Sequence, residues 1–349
     1  MFIKQLNLTN FRNYSKLELK FNQRPTVLVG NNDAGKSNIL EAIYLLSTTK
    51  SLRVSNEDEL IKDQESFLRV EGFLSGPETE LLVLINRPTE EVPFRKKVIV
   101  NGISKRTVDF IGNLPAVIFY PTDINLVIGS PSLRRWHLDL ALAQVDPEYK
   151  RTLTLYEQFL TARNKVLKRI RERQGRVDEL DYWTDELVKQ GEAVRVKREE
   201  FFNFINDLRF PLGEFKFSYI QSQISVEKLK ETNGREVACA ATLIGPHRDD
   251  YTVELEGRSM AHFGSRGEQR TATLAFKLSQ LEYMDKILGK RPILLLDDVF
   301  SELDANHRAY VVEVVSKQQT VIATVELENI PQSFLDSARI LKVENGVIS

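Results

Sequence analysis

The sequence predicts an α/β fold interrupted by a helical insertion, and three observations carry that prediction. Short apolar runs with strand-like alternation fill the first and last thirds of the chain. A helical period takes over from about Pro147 to Leu208. Between the third apolar run and the first helix lies a glycine-bounded turn, Gly30 to Ser37, that joins a strand directly to a helix. At 349 residues the chain is long for one core, so one large domain or two joined lobes is expected. With 42% hydrophobic and 28% charged residues, it has no apolar run near the roughly 20 residues of a membrane span. The first residues show no signal-peptide pattern, and a cytoplasmic protein is expected. One cysteine, Cys239, allows no internal disulfide, and the four histidines are dispersed, which argues against structural zinc. A net charge of -1 means that any nucleic-acid surface must be a local basic patch.

Residues 2–8, 16–21, 26–29, 68–74, 80–85 and 97–100 read as strands. Ile39, Leu40, Ile43 and Leu46 recur at helical spacing after Ser37. Leu153, Tyr156, Leu160, Leu167 and Ile170 form one helical stripe that breaks at Gln174, Gly175 and Arg176. Leu180, Leu187, Val194, Phe201 and Leu208 form a second at seven-residue spacing, with Gln190 and Lys197 diluting the companion position. The two stripes predict a short antiparallel hairpin. Strands are expected to resume after Pro211 through residue 224 and at 252–255. A helix near 270–288, a strand at 293–296, a helix at 305–317 and strands at 320–324 and 339–343 complete the order.

Gly30, Asn31, Asn32, Asp33, Ala34, Gly35, Lys36 and Ser37 match the phosphate-loop pattern. Glycines let backbone amides wrap the phosphates of ATP, Lys36 reaches the β and γ phosphates, and the Ser37 hydroxyl is placed for Mg²⁺. Such a loop needs a carboxylate at the end of a neighbouring strand, because Mg²⁺ between phosphates needs a protein oxygen. Four aliphatics followed by Asp297 and Asp298 supply one: Asp297 on the magnesium side, Asp298 to orient attacking water, with a helix N-cap as the alternative. Lys36, Asp297 and Asp298 are thus the expected catalytic set, and Ser37 and Asp297 the metal set. Ser265 and Gly267 open the helix before that strand. They fit a capping box with Glu268, yet they stand where ABC-type ATPases keep their signature motif. Ser301 to Asp304 resembles the D-loop of the same class.

Four motifs in this order, together with Asn10-Phe11-Arg12-Asn13-Tyr14, Gly129-Ser130-Pro131, Arg134-Arg135, Leu138-Asp139 and Gly245 to Asp250, resemble the RecF family of bacterial recombination mediators over nearly the whole chain. The resemblance implies an ABC-type, SMC-head-like P-loop ATPase lobe with an inserted helical-hairpin lobe. It divides the chain into 1–120, 121–245 and 246–349, the outer two segments forming the ATPase lobe. It further implies an ATP-dependent homodimer, binding to single- and double-stranded DNA at gap junctions, slow DNA-stimulated hydrolysis, and work with RecR and RecO to load RecA in DNA repair and replication. ATP and Mg²⁺ are the implied cofactors, and Ser265, Gly267 and Asp304 would contact nucleotide held by the other copy.

Arg12 and Asn13 either approach the nucleotide, as in related heads, or make only a hairpin turn. Residues 121–139 read either as a γ-phosphate switch segment or as a capped helix start. Lys165, Lys168, Arg169, Arg171, Arg173 and Arg176 at the hairpin tip are either a DNA contact or a solvated charged face. The sequence departs from the family at Asp33, Thr122 and His137, and it has Thr324 and Glu326 where ABC proteins place a switch histidine. Those departures point to slow turnover. The alternatives weighed are another SMC-type head, a transporter ATPase subunit and a non-hydrolysing nucleotide-bound DNA scaffold.

Overall fold

The helix Lys36–Thr48 is buried along nearly its whole length because strands of two different sheets pack against it. Ile39, Leu40, Ile43, Leu45 and Leu46 are all 0% exposed. At about 1.5–3 kcal/mol for each fully buried aliphatic, this helix is the main fastener of its surroundings. The computed structural model describes residues 2–76, 78–87 and 95–349. Within them the chain divides into two units, Met1–Asp123 with Thr273–Ser349, and Ile124–Ala272.

In the first unit one sheet is antiparallel, in the order Tyr14–Lys20, Ile3–Phe11, Phe67–Leu74, Thr79–Asn86, Lys96–Val100 and Ile103–Lys105. Its alternating pattern is the one the sequence shows: Leu6, Leu8, Leu68, Val70, Leu81, Val83 and Ile85 turn inward and join the core cluster around the helix. A Cβ at Gly72 would come within 2.7 Å of Leu46 Cδ1, so a larger residue there would have to displace that side chain. The other sheet runs Val347–Ile348, Arg339–Glu344, Thr26–Val29, Thr320–Thr324, Ile293–Asp297 and Ala116–Phe119. Its pairings are parallel except for the terminal strand. Near-continuous aliphatics suit strands covered on both faces. The strand Ala116–Phe119 is absent from the expectations, because four buried residues between Pro115 and Pro121 carry no period of their own.

The second unit holds the helices Pro131–Val145, Pro147–Arg171, Asp181–Asp207 and Val226–Cys239, with a three-stranded antiparallel sheet of Phe215–Ile220, Asp250–Leu255 and Arg258–Ser259. Pro147–Arg171 and Asp181–Asp207 form the expected hairpin. Its seam differs from the expected one. The companions of Leu187, Val194 and Phe201 lie four residues on, at Gly191, Arg198 and Ile205, all buried. Gln190 and Lys197 lie outside the seam. Arg198 is only 2% exposed. It is matched by Asp139 at 2.8 Å, Asp249 at 2.9 Å and the carbonyl of Pro246 at 2.8 Å.

Two further expectations need correction. The strand after Pro211 stops at Ile220, and Val226–Cys239 is a helix whose buried positions are Leu229, Thr232 and Glu236. A buried Glu236, paired with buried Arg163 at 2.7 Å, leaves that helix no apolar stripe to see. The third segment was expected to begin at 246, yet residues 246–272 belong to the second unit. Strand Asp250–Leu255 pairs with Phe215–Ile220 over six residues, and that ladder holds the segment there. The Arg134-Arg135 and Asp249-Asp250 motifs also meet inside this unit. Arg134 grips Asp250 with two bonds of 2.7 Å, and Arg135 donates to the Asp249 carbonyl at 2.6 Å.

Candidate functional site

The parallel strands of the first unit deliver four chain segments to one end of their sheet, where ligands of open α/β sheets bind. Gly30 to Ser37 follows Thr26–Val29, Asp297 and Asp298 end Ile293–Asp297, Thr324 ends Thr320–Thr324, and Pro121 follows Ala116–Phe119 by two residues. These segments and the Arg12-Asn13 turn line a cleft of about 630 Å³. Asn32, Asp33, Gly35, Lys36 and Ser37 are on its wall, with Arg53, Asp63, Asp297 and Asp298.

Both loop glycines have a physical reason. A Cβ on Gly30 would sit 2.1 Å from the carbonyl oxygen of Val343. Gly35 has φ +114, and a Cβ there would meet Tyr14 Oη at 2.6 Å and Asn13 Nδ2 at 2.7 Å. Gly35 is also the residue before the helix Lys36–Thr48, whose first amides have no intrahelical acceptor and point out of the helix N-terminus. Lys36 is 6% exposed and donates to the carbonyls of Gly30 and Asn31, both at 2.7 Å. Burial pulls its pKa down, and the carboxylates Asp297, Asp298 and Asp33 pull it back up. Asn31 and Ala34 shape the loop through their backbones, with the Ala34 amide on the Asn31 carbonyl at 3.3 Å.

The Ser37 hydroxyl donates to Asp297 Oδ1 at 2.9 Å, across 260 residues of sequence. Burial raises the Asp297 pKa against the opposing influence of Ser37, Arg53 and Lys36. A hydroxyl and a carboxylate side by side at a helix N-terminus suit a hard divalent cation that takes its remaining ligands from phosphate and water. Among the described residues no cluster of three or more His, Cys, Asp or Glu side chains is placed to hold a metal ion. The loop, Lys36 and this pair fit ATP with Mg²⁺. Asp298 adopts a left-handed backbone, φ 51, with its amide on the Ala323 carbonyl at 2.8 Å. That conformation turns its side chain away from the strand's alternation and onto the cleft wall.

Arg12 and Asn13 are both a hairpin turn and part of the site. Phe11 pairs with Tyr14 across them. Asn13 Nδ2 donates to the Ala34 carbonyl at 3.2 Å, and Tyr14 Oη to that of Gly35 at 3.1 Å, so the turn braces the phosphate loop. Arg12 clasps Glu41 with bonds of 2.9 and 2.7 Å. Glu41 is 1% exposed and also accepts from Ser51 at 2.5 Å and Arg53 at 3.2 Å. Sequence reasoning missed Glu41, Arg53 and Tyr14. A glutamate among the inward aliphatics Ile39, Leu40 and Ile43 was the available signal for the first.

Of the other expected site residues, Ser265 and Gly267 belong to the second unit, and Asp304 lies in the first unit outside the cleft lining. Ser265 and Glu268 form the capping box: the Ser265 amide donates to Glu268 Oε2 at 2.7 Å, and the Glu268 amide to Ser265 Oγ at 3.3 Å. Gly267 lies in the first turn of the same helix, Arg266–Leu288. Asp304 caps Ala305–Val315, accepting from the His307 amide at 2.9 Å. Thr324 lines the cleft, and its hydroxyl donates to the Glu326 carbonyl at 2.9 Å. In residues 121–139 the capped helix is present, with Ser130 as N-cap of Pro131–Val145.

The family model for the RecF/RecN/SMC N terminal domain matches residues 2–349. The "DNA replication and repair protein RecF" of Bacillus thuringiensis (strain Al Hakam) is 35% identical over 372 aligned positions, covering all of this chain and 98% of its own. That of Bacillus cereus (strain B4264) matches to the same extent. A solved structure of the recombination mediator protein RecF with ATP, in the RecFOR pathway, superposes with a TM-score of 0.87 at 29% identity, covering all of this chain and 98% of that one. A Pyrococcus furiosus Smc head domain, at 16% identity and a TM-score of 0.53, shares the fold. With the full length of the chain matched in sequence and in structure, and the phosphate-loop pattern and the Asp297–Asp298 pair at one end of the parallel sheet, the chain belongs to the RecF family.

Proposed function

We propose that this chain is an ATP-switched DNA-binding protein of recombinational repair. ATP and Mg²⁺ close two copies head to head on single- or double-stranded DNA at gap junctions, slow hydrolysis releases them, and with RecR and RecO the clamp helps load RecA. The observation that carries the reading is the Ser37–Asp297 bond of 2.9 Å beside a loop whose lysine is already held at its mouth. Lys36 offsets phosphate charge and Ser37 and Asp297 hold the ion, which supplies charge neutralisation across the phosphates when bound. Asp298, at the wall, takes the proton of the attacking water. Thr324 offers no imidazole, which accords with slow turnover.

Two features support sharing of the site between copies. Gly267 has open space where a Cβ would go, so the fold itself does not require glycine there. Phe263, two residues before Ser265, is 72% exposed. Both suit a surface that a second molecule approaches closely. For DNA, Arg169, Arg176 and Lys168 at the hairpin tip pair with Glu179, Asp178 and Glu172, while Lys165, Arg171 and Arg173 are exposed without an ionic partner among the described residues. Phosphate contacts through such cations weaken steeply with salt. Sedimentation with ATP or ADP, each with and without gapped duplex, tests the reading. ATP alone should give dimers and DNA binding; a monomer in all four conditions would overturn it.

A further inference from the structure

One tyrosine hydroxyl at the end of the strand Ala116–Phe119 is buried without a hydrogen-bond partner. Tyr120 is 4% exposed, and its Oη finds neither donor nor acceptor among the described residues. Leaving a buried polar group unpaired costs about 1–3 kcal/mol, and phenylalanine would fill the same volume without that cost. Such a group marks a strained, catalytic or ion-linked position. Its place narrows the choice. The strand runs parallel to Ile293–Asp297 with Phe119 opposite Leu296, so one further step of that register brings Tyr120, just past its strand, beside Asp297 at the same sheet end.

Three carboxylates, Glu41, Asp297 and Asp123, lie near enough for their charges to add to burial in pushing the Tyr120 pKa up. Asp123 is engaged by the Tyr120 backbone amide at 2.9 Å and by Lys277 at 3.2 Å, and of the other two only Asp297 has room for the hydroxyl. Glu41 Oε1 already accepts from Arg12 and Ser51, and Oε2 from Arg12 and Arg53. Asp297 accepts from Ser37 at Oδ1, and its Oδ2 has no hydrogen-bond donor among the described residues.

Resting on the reading of this cleft as a Mg²⁺ and ATP site, we propose that Tyr120 is a positioning residue that donates to the Asp297 carboxylate once Ser37 and Asp297 turn to the ion. Carboxylates that ligate metals are themselves held by hydrogen bonds from behind, and those partners set the orientation of the ligand. A donor unpaired in one arrangement and paired in the other favours the second. Tyr120 would then link ion binding to the strand that leads into residues 121–123, without touching the nucleotide.

The test is thermal melting of wild type and Tyr120→Phe, without ligand, with a non-hydrolysable ATP analogue in EDTA, and with the analogue across a Mg²⁺ titration. We expect Tyr120→Phe to melt at or above wild type without ligand, to keep the analogue-only shift, and to need about tenfold more Mg²⁺ for half of the additional shift. An unchanged Mg²⁺ midpoint overturns the inference. So does a Tyr120→Phe protein that melts well below wild type without ligand, since the hydroxyl would then already be bonded. If wild type itself shows no shift with the analogue and Mg²⁺, the reading of the cleft fails, which is a different result from failure of Tyr120.

Discussion

Arg12 in the hairpin turn and Glu41 in the phosphate-loop helix form a two-bond pair of 2.9 and 2.7 Å, and that pair ties the antiparallel sheet to the nucleotide cleft. Because Glu41 is 1% exposed and also holds Arg53, one carboxylate sets two arginines of the cleft wall. Glu41→Gln leaves the two guanidiniums with a neutral acceptor. We expect it to cost about 1.5–3 kcal/mol in urea unfolding, the range for hydrogen bonds to charged groups, and to weaken ATP-analogue binding in fluorescence titration. Wild-type stability together with wild-type affinity would refute a role for the pair.

Asp298 should tolerate an amide and little else. Its left-handed φ of 51 is open to Asn and costs other side chains roughly 1–2 kcal/mol. Asp298→Asn is therefore expected to fold like wild type, bind ATP and Mg²⁺, and hydrolyse about 10²–10⁴-fold more slowly, the usual share of a general base. Asp298→Val should be destabilised as well as inactive. Wild-type turnover in Asp298→Asn would place the base elsewhere, and loss of Mg²⁺ would exchange the roles of Asp297 and Asp298.

Ser265 separates a shared site from a simple cap. Ser265→Arg removes the side-chain half of the capping box, at a cost of about 1 kcal/mol, whichever reading holds. If the site is shared, it also blocks closure while the monomer still binds ATP, and Lys36→Met blocks binding itself. A mixed dimer of Ser265→Arg with Lys36→Met has one site with both lesions and one with neither. ATPase activity should reappear on mixing; two proteins that associate and stay inactive would refute sharing in trans.

His247 should make the second unit acid-sensitive. Its Nε2 faces the Thr242 carbonyl at 3.0 Å and must donate, so in the neutral ring Nδ1 accepts from Tyr156 Oη at 2.6 Å. Burial, with Arg248, Arg135 and Arg198 nearby, brings its pKa down to about 4. The unfolded chain takes up the proton near pH 6.5 and the folded one does not, so stability is lost as pH falls from about 6.5 to about 4. The gap corresponds to about 3 kcal/mol. His247→Gln should lose that much less than wild type between pH 7.5 and pH 4.5 in urea unfolding. Equal losses would contradict a neutral buried imidazole. Asp249, whose pKa burial raises, acts in the opposite direction in both proteins and cancels from the comparison.

The sequence by itself determined the parts whose chemistry is local. Gly30 to Ser37 must leave a strand and open a helix to serve phosphates, and the four aliphatics before Asp297 read as a buried strand because the phosphate loop calls for a carboxylate at a strand end. The inward alternation of the first sheet follows from the same logic, because a period of two is a property of consecutive residues. Tertiary structure decided what depends on partners far along the chain. Glu236 makes a helix position apolar in effect only because Arg163 neutralises it, and Arg198 belongs to a seam only because Asp139 and Asp249 meet it there. The strand Ala116–Phe119 exists because Ile293–Asp297 offers it an edge. Glu41 likewise becomes part of the site through burial beside arginines that neighbouring turns bring in, and the exposed Arg53 through its bond to that carboxylate. A lone glutamate or tyrosine in sequence has no such environment, and desolvation and pairing, which give these residues their roles, are created by the fold.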